Sequence, residues 1–290
     1  MMRKTILIAG QQIFPAMQWL ITVVLVCNVM LLTSCNSDDP VEPQTYSDVP
    51  LVIFDTDMGS STDDLFALEM LYHYQELGRC KLLGIVVNWE GEANAVFADV
   101  MNTYFGHGDV PIGLIRDGIK NPRVFVDFAK IAYEKDDNGN PMFRRTVTDY
   151  STLPDGYQLY RQLLAGQPDH SVSIISVGFI TCLAQLLQSG ADEYSSLSGV
   201  ELVRQKVKGL YIMAGNFSLS NKPEYNLAND ITSSSAFFRL WPADVGINFS
   251  PSEVGSEVYY QPKQVVADIS WTDCHPIKQI YMIDGLVDSG

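Results

Sequence analysis

The chain is poor in the residues that build zinc sites and disulfide frameworks. It has five cysteines and four histidines in 290 residues, with no Cys-x-x-Cys pair and no Cys/His spacing of the zinc type. Cys80, Cys182 and Cys274 lie far apart and are odd in number, which predicts buried thiols rather than a disulfide framework. Basic residues are also scarce: 19 Lys and Arg stand against 34 Asp and Glu, a net charge of −15. Such a surface repels phosphate backbones, which argues against a nucleic-acid partner. No apolar run reaches the ~20 residues that cross a bilayer as a helix, and no segment repeats along the chain.

What is present begins with a short basic-then-apolar leader. Arg3 and Lys4 precede Leu20 to Leu32 (LITVVLVCNVMLL), an apolar run of signal-peptide rather than transmembrane length. The run ends in Leu-Thr-Ser-Cys, which resembles a bacterial lipobox with Cys35 as the lipidated residue. Residues 1–34 therefore read as a lipoprotein signal peptide and 35–48 as a flexible tether rich in Pro, Asp and Ser. Residues 49–290 read as the folded domain. The expected location is the bacterial cell envelope, with the membrane reached through the N-terminal lipid. Residues 1–34 hold two of the 19 basic residues and none of the 34 acidic ones, so the remainder carries a net −17.

The most informative segment is Leu51 to Leu68 (LVIFDTDMGSSTDDLFAL), which puts Asp55, Asp57, Asp63 and Asp64 where a strand-like run gives way to a helix-like one. Asp55 and Asp57 share one side of an extended chain. Asp63 and Asp64 open the helix, where acids suit the helix dipole and Ser61 or Thr62 is the expected N-cap. Capping accounts for one or two acids. Four converging carboxylates need a counter-charge, and a hard cation supplies it.

Strand-length apolar runs then alternate with helical patterns. Strands are expected over Val49–Phe54, Lys81–Val87, Asp109–Leu114, Val172–Val177, Val207–Met213 and Asp244–Phe249. Helices are expected over Leu65–Leu77, closed by Gly78, and over Ala93–Phe105, Tyr157–Ala165, Thr181–Ser189 and Ser233–Leu240. Asp117 to Tyr150, broken by Asn121-Pro122 and by Asp137-Asn138-Gly139-Asn140-Pro141, reads as an irregular excursion. This order predicts an α/β fold: a mainly parallel central sheet with helices on both faces and a Rossmann-like core.

Asp-Thr-Asp-Met-Gly followed by Asp-Asp resembles the opening motif of the nucleoside hydrolases, the inosine–uridine-preferring N-ribohydrolases. Leu82 to Asn88 (LLGIVVN), Val177-Gly178-Phe179-Ile180-Thr181, Met213-Ala214-Gly215 and Glu224-Tyr225-Asn226 match further elements of that family in order. The resemblance covers Val49 to about Gly290. It implies a Ca²⁺ cofactor held by Asp57, Asp64 and the backbone carbonyl of Thr181. It implies a ribonucleoside substrate, whose N-glycosidic bond is hydrolysed by a calcium-bound water activated by Asp57. Asp63, Asn88, Glu224 and Asn226 would hold the ribose hydroxyls, Met213 would touch the sugar, and Asp55 would brace the cluster. A homo-oligomer is likewise implied. From the residues alone, Thr181 reads as a helix N-cap and Met213 as core. Glu224 and Asn226 share a side if their segment is extended.

The chain departs from the family's pattern in places. The acidic turn is two residues longer than the family's shortest form, Cys182 stands for an asparagine, and Ala214 stands for a glycine. The family's late Asp ligand has no good counterpart, which implies a chain ending early and binding calcium weakly. Two alternatives remain open. One is a haloacid-dehalogenase-type phosphatase with Asp55 as nucleophile, Asp57 as general acid and magnesium. It meets Gly59 where that pattern wants Thr or Val, and it leaves Asp63 and Asp64 without a role. The other is a degenerate, lipid-anchored ribose-binding protein without turnover.

Overall fold

The computed structural model describes residues 49–59, 61–120, 128–218 and 222–283. The expected leader, tether and Cys35 lie outside the described residues, as does the Asn121-Pro122 break.

Six strands form one sheet: β1 (Leu51–Thr56), β2 (Lys81–Trp89), β3 (Ile112–Ile119), β4 (Val172–Ser176), β5 (Val207–Met213) and β6 (Ile247–Ser250). The order is β3-β2-β1-β4-β5-β6, and every neighbouring pair is parallel. Ten helices surround it in the described residues: α1 (Asp63–Glu76), α2 (Glu92–Tyr104), α3 (Gly156–Ala165), α4 (Thr181–Gln188), α5 (Gly199–Lys206), α6 (Tyr225–Asn229), α7 (Ile231–Leu240), α8 (Ser252–Gly255), α9 (Pro262–Asp268) and α10 (Pro276–Ile283). The expected α/β architecture is the one observed.

A parallel strand needs a crossover to return, and the crossovers lay helices on both faces. That is why β1 and β2 read as nearly unbroken apolar runs. Side-chain alternation then divides the core. Val52 and Phe54 pack with α1, α2, α9 and α10 on one face, while Ile53 packs with α3, α4, α5 and α7 on the other. β1 runs at the centre, with Asp55 opposite Val86 on one side and Ser176 on the other. Its neighbours β2 and β4 carry the chain away in opposite directions. The crevice at the carboxyl ends of β1 and β4 is thus the topological switch point of the sheet.

Several boundaries differ from expectation for local reasons. β3 runs on to Ile119, into the first residues of the expected excursion. Among its described residues the remainder of that excursion holds the 3-10 turn Ala129–Tyr133, and a second, Tyr150–Thr152, begins at its end. It is tied down by the buried Asp99 carboxylate, which accepts from the Thr146 and Val147 amides and from the Tyr150 hydroxyl at 2.7 Å. α5 lay outside the expected elements. A capping box starts it, with Ser198 and Glu201 exchanging bonds. Among the described residues, no helix is long and apolar enough to cross a membrane.

Candidate active site

β1 delivers the first carboxylates. Asp55 is its fifth residue and is fully buried. It accepts from Tyr160 at 2.7 Å, from Ser176 at 3.2 Å, and from the Asn88 amide. Even with these donors, burial pushes its carboxyl up to about 7. The Asn88 carbonyl oxygen accepts from the Phe179 amide at 3.1 Å. Asn88 is therefore a fully buried strut between β1, β2 and the β4–α4 loop. It is not among the residues lining the pocket, and its side-chain bonds hold β1 and the β4–α4 loop together.

Beyond Thr56 the chain turns through Asp57, Met58 and Gly59. The Thr56 hydroxyl donates to Asp64 at 2.9 Å and accepts from the Met58 amide at 3.0 Å, folding the turn back on the start of α1. Gly59 has φ +130°, a conformation that favours glycine, and a Cβ there would strike Asn94 and Trp89. Thr62 holds the N-cap position of α1 without a side-chain cap bond, and its hydroxyl instead meets that of Tyr281 at 2.7 Å. On the far side, a Cβ on Gly178 would lie 2.2 Å from the Asp57 backbone nitrogen. Only glycine lets the β4–α4 loop approach so closely.

These turns gather Asp57, Asp63, Asp64, Met213, Glu224 and Asn226 around one pocket of about 360 Å³. It opens where β1, β4 and β5 end. Asp57 and Asp64 are buried, at 6% and 4% exposure, whereas Asp63 is exposed. Burial pushes Asp57 up to about 7. Burial, then the charge of Asp57, pushes Asp64 well above the usual carboxylate range. Glu224 and Asn226 reach the pocket from the start of a helix rather than from an extended segment. Glu224 is the N-cap of α6 and accepts from the Asn226 amide at 2.7 Å and the Leu227 amide at 3.0 Å. The Asn226 side-chain amide ties the ends of β4 and β5 together, donating to the Val177 carbonyl at 3.1 Å and the Met213 carbonyl at 3.2 Å. Thr181 is buried as the first residue of α4, after an N-cap at Ile180. Its hydroxyl donates to Asp230 at 2.8 Å, and it does not line the pocket. The pocket also holds Lys222 and Asn216, to which no role was assigned from the sequence.

The donors suit a hard cation: they are oxygen atoms, and no basic side chain is paired with Asp57 or Asp64 among the described residues. Two buried carboxylates that share a site need either a shared proton or a cation. Among the described residues, no group of three or more His, Cys, Asp and Glu side chains is arranged to hold a metal. The carboxylates lining the pocket are Asp57, Asp63, Asp64 and Glu224.

A model of the family described as inosine-uridine preferring nucleoside hydrolase matches residues 52–283. Among solved structures the chain is similar to the effector protein XOO4466, with 19% identity and a TM-score of 0.62 over 81% of this chain and 64% of that one. It is similar to the plant nucleoside hydrolase PpNRh1, at 18% and 0.56 over 83% and 71%. It is also similar to a purine-preferring ribonucleoside hydrolase from Gardnerella vaginalis, at 14% and 0.55 over 82% and 72%. At these identities the likeness is one of fold. The chain spans less than two thirds of the effector's length. Comparison with curated proteins gives no match.

Proposed function

The chain belongs to the inosine-uridine preferring nucleoside hydrolase family, and from that premise we propose that it hydrolyses the N-glycosidic bond of ribonucleosides to free base and ribose. The observation that carries the proposal is the meeting of Asp57, Asp63, Asp64, Glu224 and Asn226 around one small pocket at the switch point of the sheet.

In this reading Asp57 and Asp64 would hold a calcium ion, with the Thr181 carbonyl as a further donor. Calcium would supply positive charge that makes a nearby water more acidic. Asp57 takes the proton of the attacking water as general base, from a buried position on the pocket wall. The water oxygen bonds to the anomeric carbon, and the carbon–nitrogen bond breaks with its electrons passing to the base. Positive charge grows on the ribose during that step, by analogy with other glycosides. Asp63 and Glu224 face that charge, while Asn226 orients the sugar against Met213. Asp55 and Asn88 act through others, holding β1 and the β4–α4 loop in register behind Asp57. On the N-terminal residues alone, we place this reaction at the cell envelope, with Cys35 lipidated.

The test is chromatographic detection of free base and ribose in equal amounts when the purified chain is given inosine, uridine and their relatives with calcium. Release of inorganic phosphate from phosphomonoesters without base release would contradict the proposal and favour the phosphatase chemistry of Asp55 and Asp57.

A further inference from the structure

The pocket at the switch point is polarised from one side to the other. Asp57, Asp63 and Asp64 come from the turn between β1 and α1 and form an acceptor side, which also borders an aromatic groove lined by Phe66 and Trp271. Asn216 and Lys222 come from the segment between β5 and α6, and Ser252 opens α8; these three line the pocket but not the groove. β4 lies between β1 and β5 in the sheet, so the two sides stand two strand spacings, roughly 10 Å, apart. The second side offers donors. The Asn216 carbonyl oxygen is taken by the Ser218 amide at 3.1 Å and the Ser218 hydroxyl at 2.5 Å, which leaves its NH₂ group to give. The rim is held in place: the Ser252 amide donates to the Gly215 carbonyl at 3.0 Å, and the Phe217 amide to Glu253 at 2.8 Å.

The charges follow the same division. Lys222 is the one basic side chain on the pocket wall among the described residues, where it is exposed and has no carboxylate paired with it. Glu224 lies nearest along the chain. Its carboxylate accepts from the Gly215, Asn226 and Leu227 amides at 3.3, 2.7 and 3.0 Å, so three backbone dipoles offset its charge. Asp57 and Asp64 are the pair suited to a cation, and Asp63 stands with them on the acceptor side. Glu253 does not line the pocket. An unpaired ammonium with an amide NH₂ and a hydroxyl beside it favours an anion, a phosphate above all.

We propose that Lys222, with Asn216 and Ser252, receives an anionic group on carbon 5 of the sugar, so that ribonucleoside 5′-monophosphates are preferred to unphosphorylated ribonucleosides. The inference rests on the N-ribohydrolase reading of the same pocket. A ribose whose 2- and 3-hydroxyls meet the acidic side turns carbon 4, and carbon 5 upon it, towards the donors. The phosphoester stays intact in the reaction. The water oxygen bonds to the anomeric carbon, and the carbon–nitrogen bond breaks with its electrons passing to the base. One water hydrogen stays on the new hydroxyl; the other leaves through Asp57 and ends on the base. The products are the free base and ribose 5-phosphate.

The experiment gives the purified chain inosine 5′-monophosphate or inosine with calcium, against enzyme-free controls, and separates free base, ribose and ribose 5-phosphate by chromatography. The expected kcat/KM favours the monophosphate roughly fivefold or more, equivalent to about 1 kcal/mol, with ribose 5-phosphate as the sugar product. Lys222→Gln is expected to cut that ratio roughly threefold or more, through KM for the monophosphate, and Lys222→Arg, which keeps the charge, to retain most of it. Equal or better use of inosine overturns the inference and leaves the N-ribohydrolase reading standing. So does a ratio that Lys222→Gln leaves unchanged, or that Lys222→Arg lowers as far as Lys222→Gln does. If neither compound is cleaved, that reading fails, and the donor rim is judged by calorimetric titration with ribose 5-phosphate. Binding that Lys222→Gln weakens roughly threefold or more supports the rim; no binding, or an unchanged Kd, overturns it.

Discussion

Replacing Asp64 with asparagine should move stability in opposite directions with and without calcium. Asp57 and Asp64 are both buried, and Asp57 is raised from 3.8 to about 7. A carboxyl with a raised folded pKa binds its proton more tightly folded than unfolded. Its contribution is therefore lost as pH rises from about 4 through about 7. Three units at ~1.4 kcal/mol each bound the penalty on Asp57 near 4 kcal/mol above that window. Asp64→Asn is nearly isosteric, and its side-chain oxygen can still accept the Thr56 hydroxyl bond. It removes one buried charge and relieves the repulsion on the other. In EDTA near pH 8 the variant should gain about 2 kcal/mol, a rise in Tm of roughly 4–8 °C. Near pH 5, where the folded pair is protonated, the gain should shrink. Calcium reverses the order. If two carboxylates give a Kd of ~10⁻⁴ M, ~10 mM calcium stabilises the parent by about 2.7 kcal/mol. The variant, with one carboxylate, should respond little. Differential scanning calorimetry at both pH values, with EDTA and with calcium, reads all four conditions. A variant that melts below the parent in EDTA near pH 8, or that keeps the full calcium shift, refutes the reasoning.

Other substitutions probe the scaffold. Gly178→Ala forces a Cβ against the Asp57 backbone and should cost about 2–3 kcal/mol and most of the activity, read by thermal melts and base release. Arg161 is fully buried and clamped by Asp192, at 2.5 and 3.0 Å, by Ser189 and by the carbonyls of Ser195 and Leu197. Arg161→Met should destabilise by about 3 kcal/mol, lowering Tm by roughly 6–12 °C. His275 is buried with its pKa lowered to about 4, so its share of stability is complete above pH ~6.5 and declines as pH falls toward 4. His275→Leu should flatten that part of the melting profile, and an unchanged slope would discount the imidazole.

The centre of the sheet was legible because both-face burial leaves a plain mark: β1 is a short apolar run, and β5, though Lys208 and Tyr211 are exposed, matches its expected limits Val207–Met213. The acidic turn was legible because four carboxylates in one turn are hard to explain by capping. Asn88 was harder to read. Its side chain is spent on Asp55 and Phe179, partners far away in sequence, and strand-end asparagines carry no local sign of such a strut. Glu224 and Asn226 share a side only if extended, and Glu224 instead accepts the first amides of α6, a short helix that a Glu-x-Asn spacing does not announce. The aromatic groove joins Phe66 to Trp271, and only the packing of α9 and α10 against α1 brings them together.

The central claim is that Asp57 activates water against a ribosyl carbon–nitrogen bond. It is tested most directly by measuring ribose release from a ribonucleoside by the parent chain and by Asp57→Asn in calcium-containing buffer, with folding checked by circular dichroism. The account predicts release by the parent and a fall in kcat of ~10²-fold or more in a variant that stays folded. An Asp57→Asn protein that releases ribose as fast as its parent would contradict it.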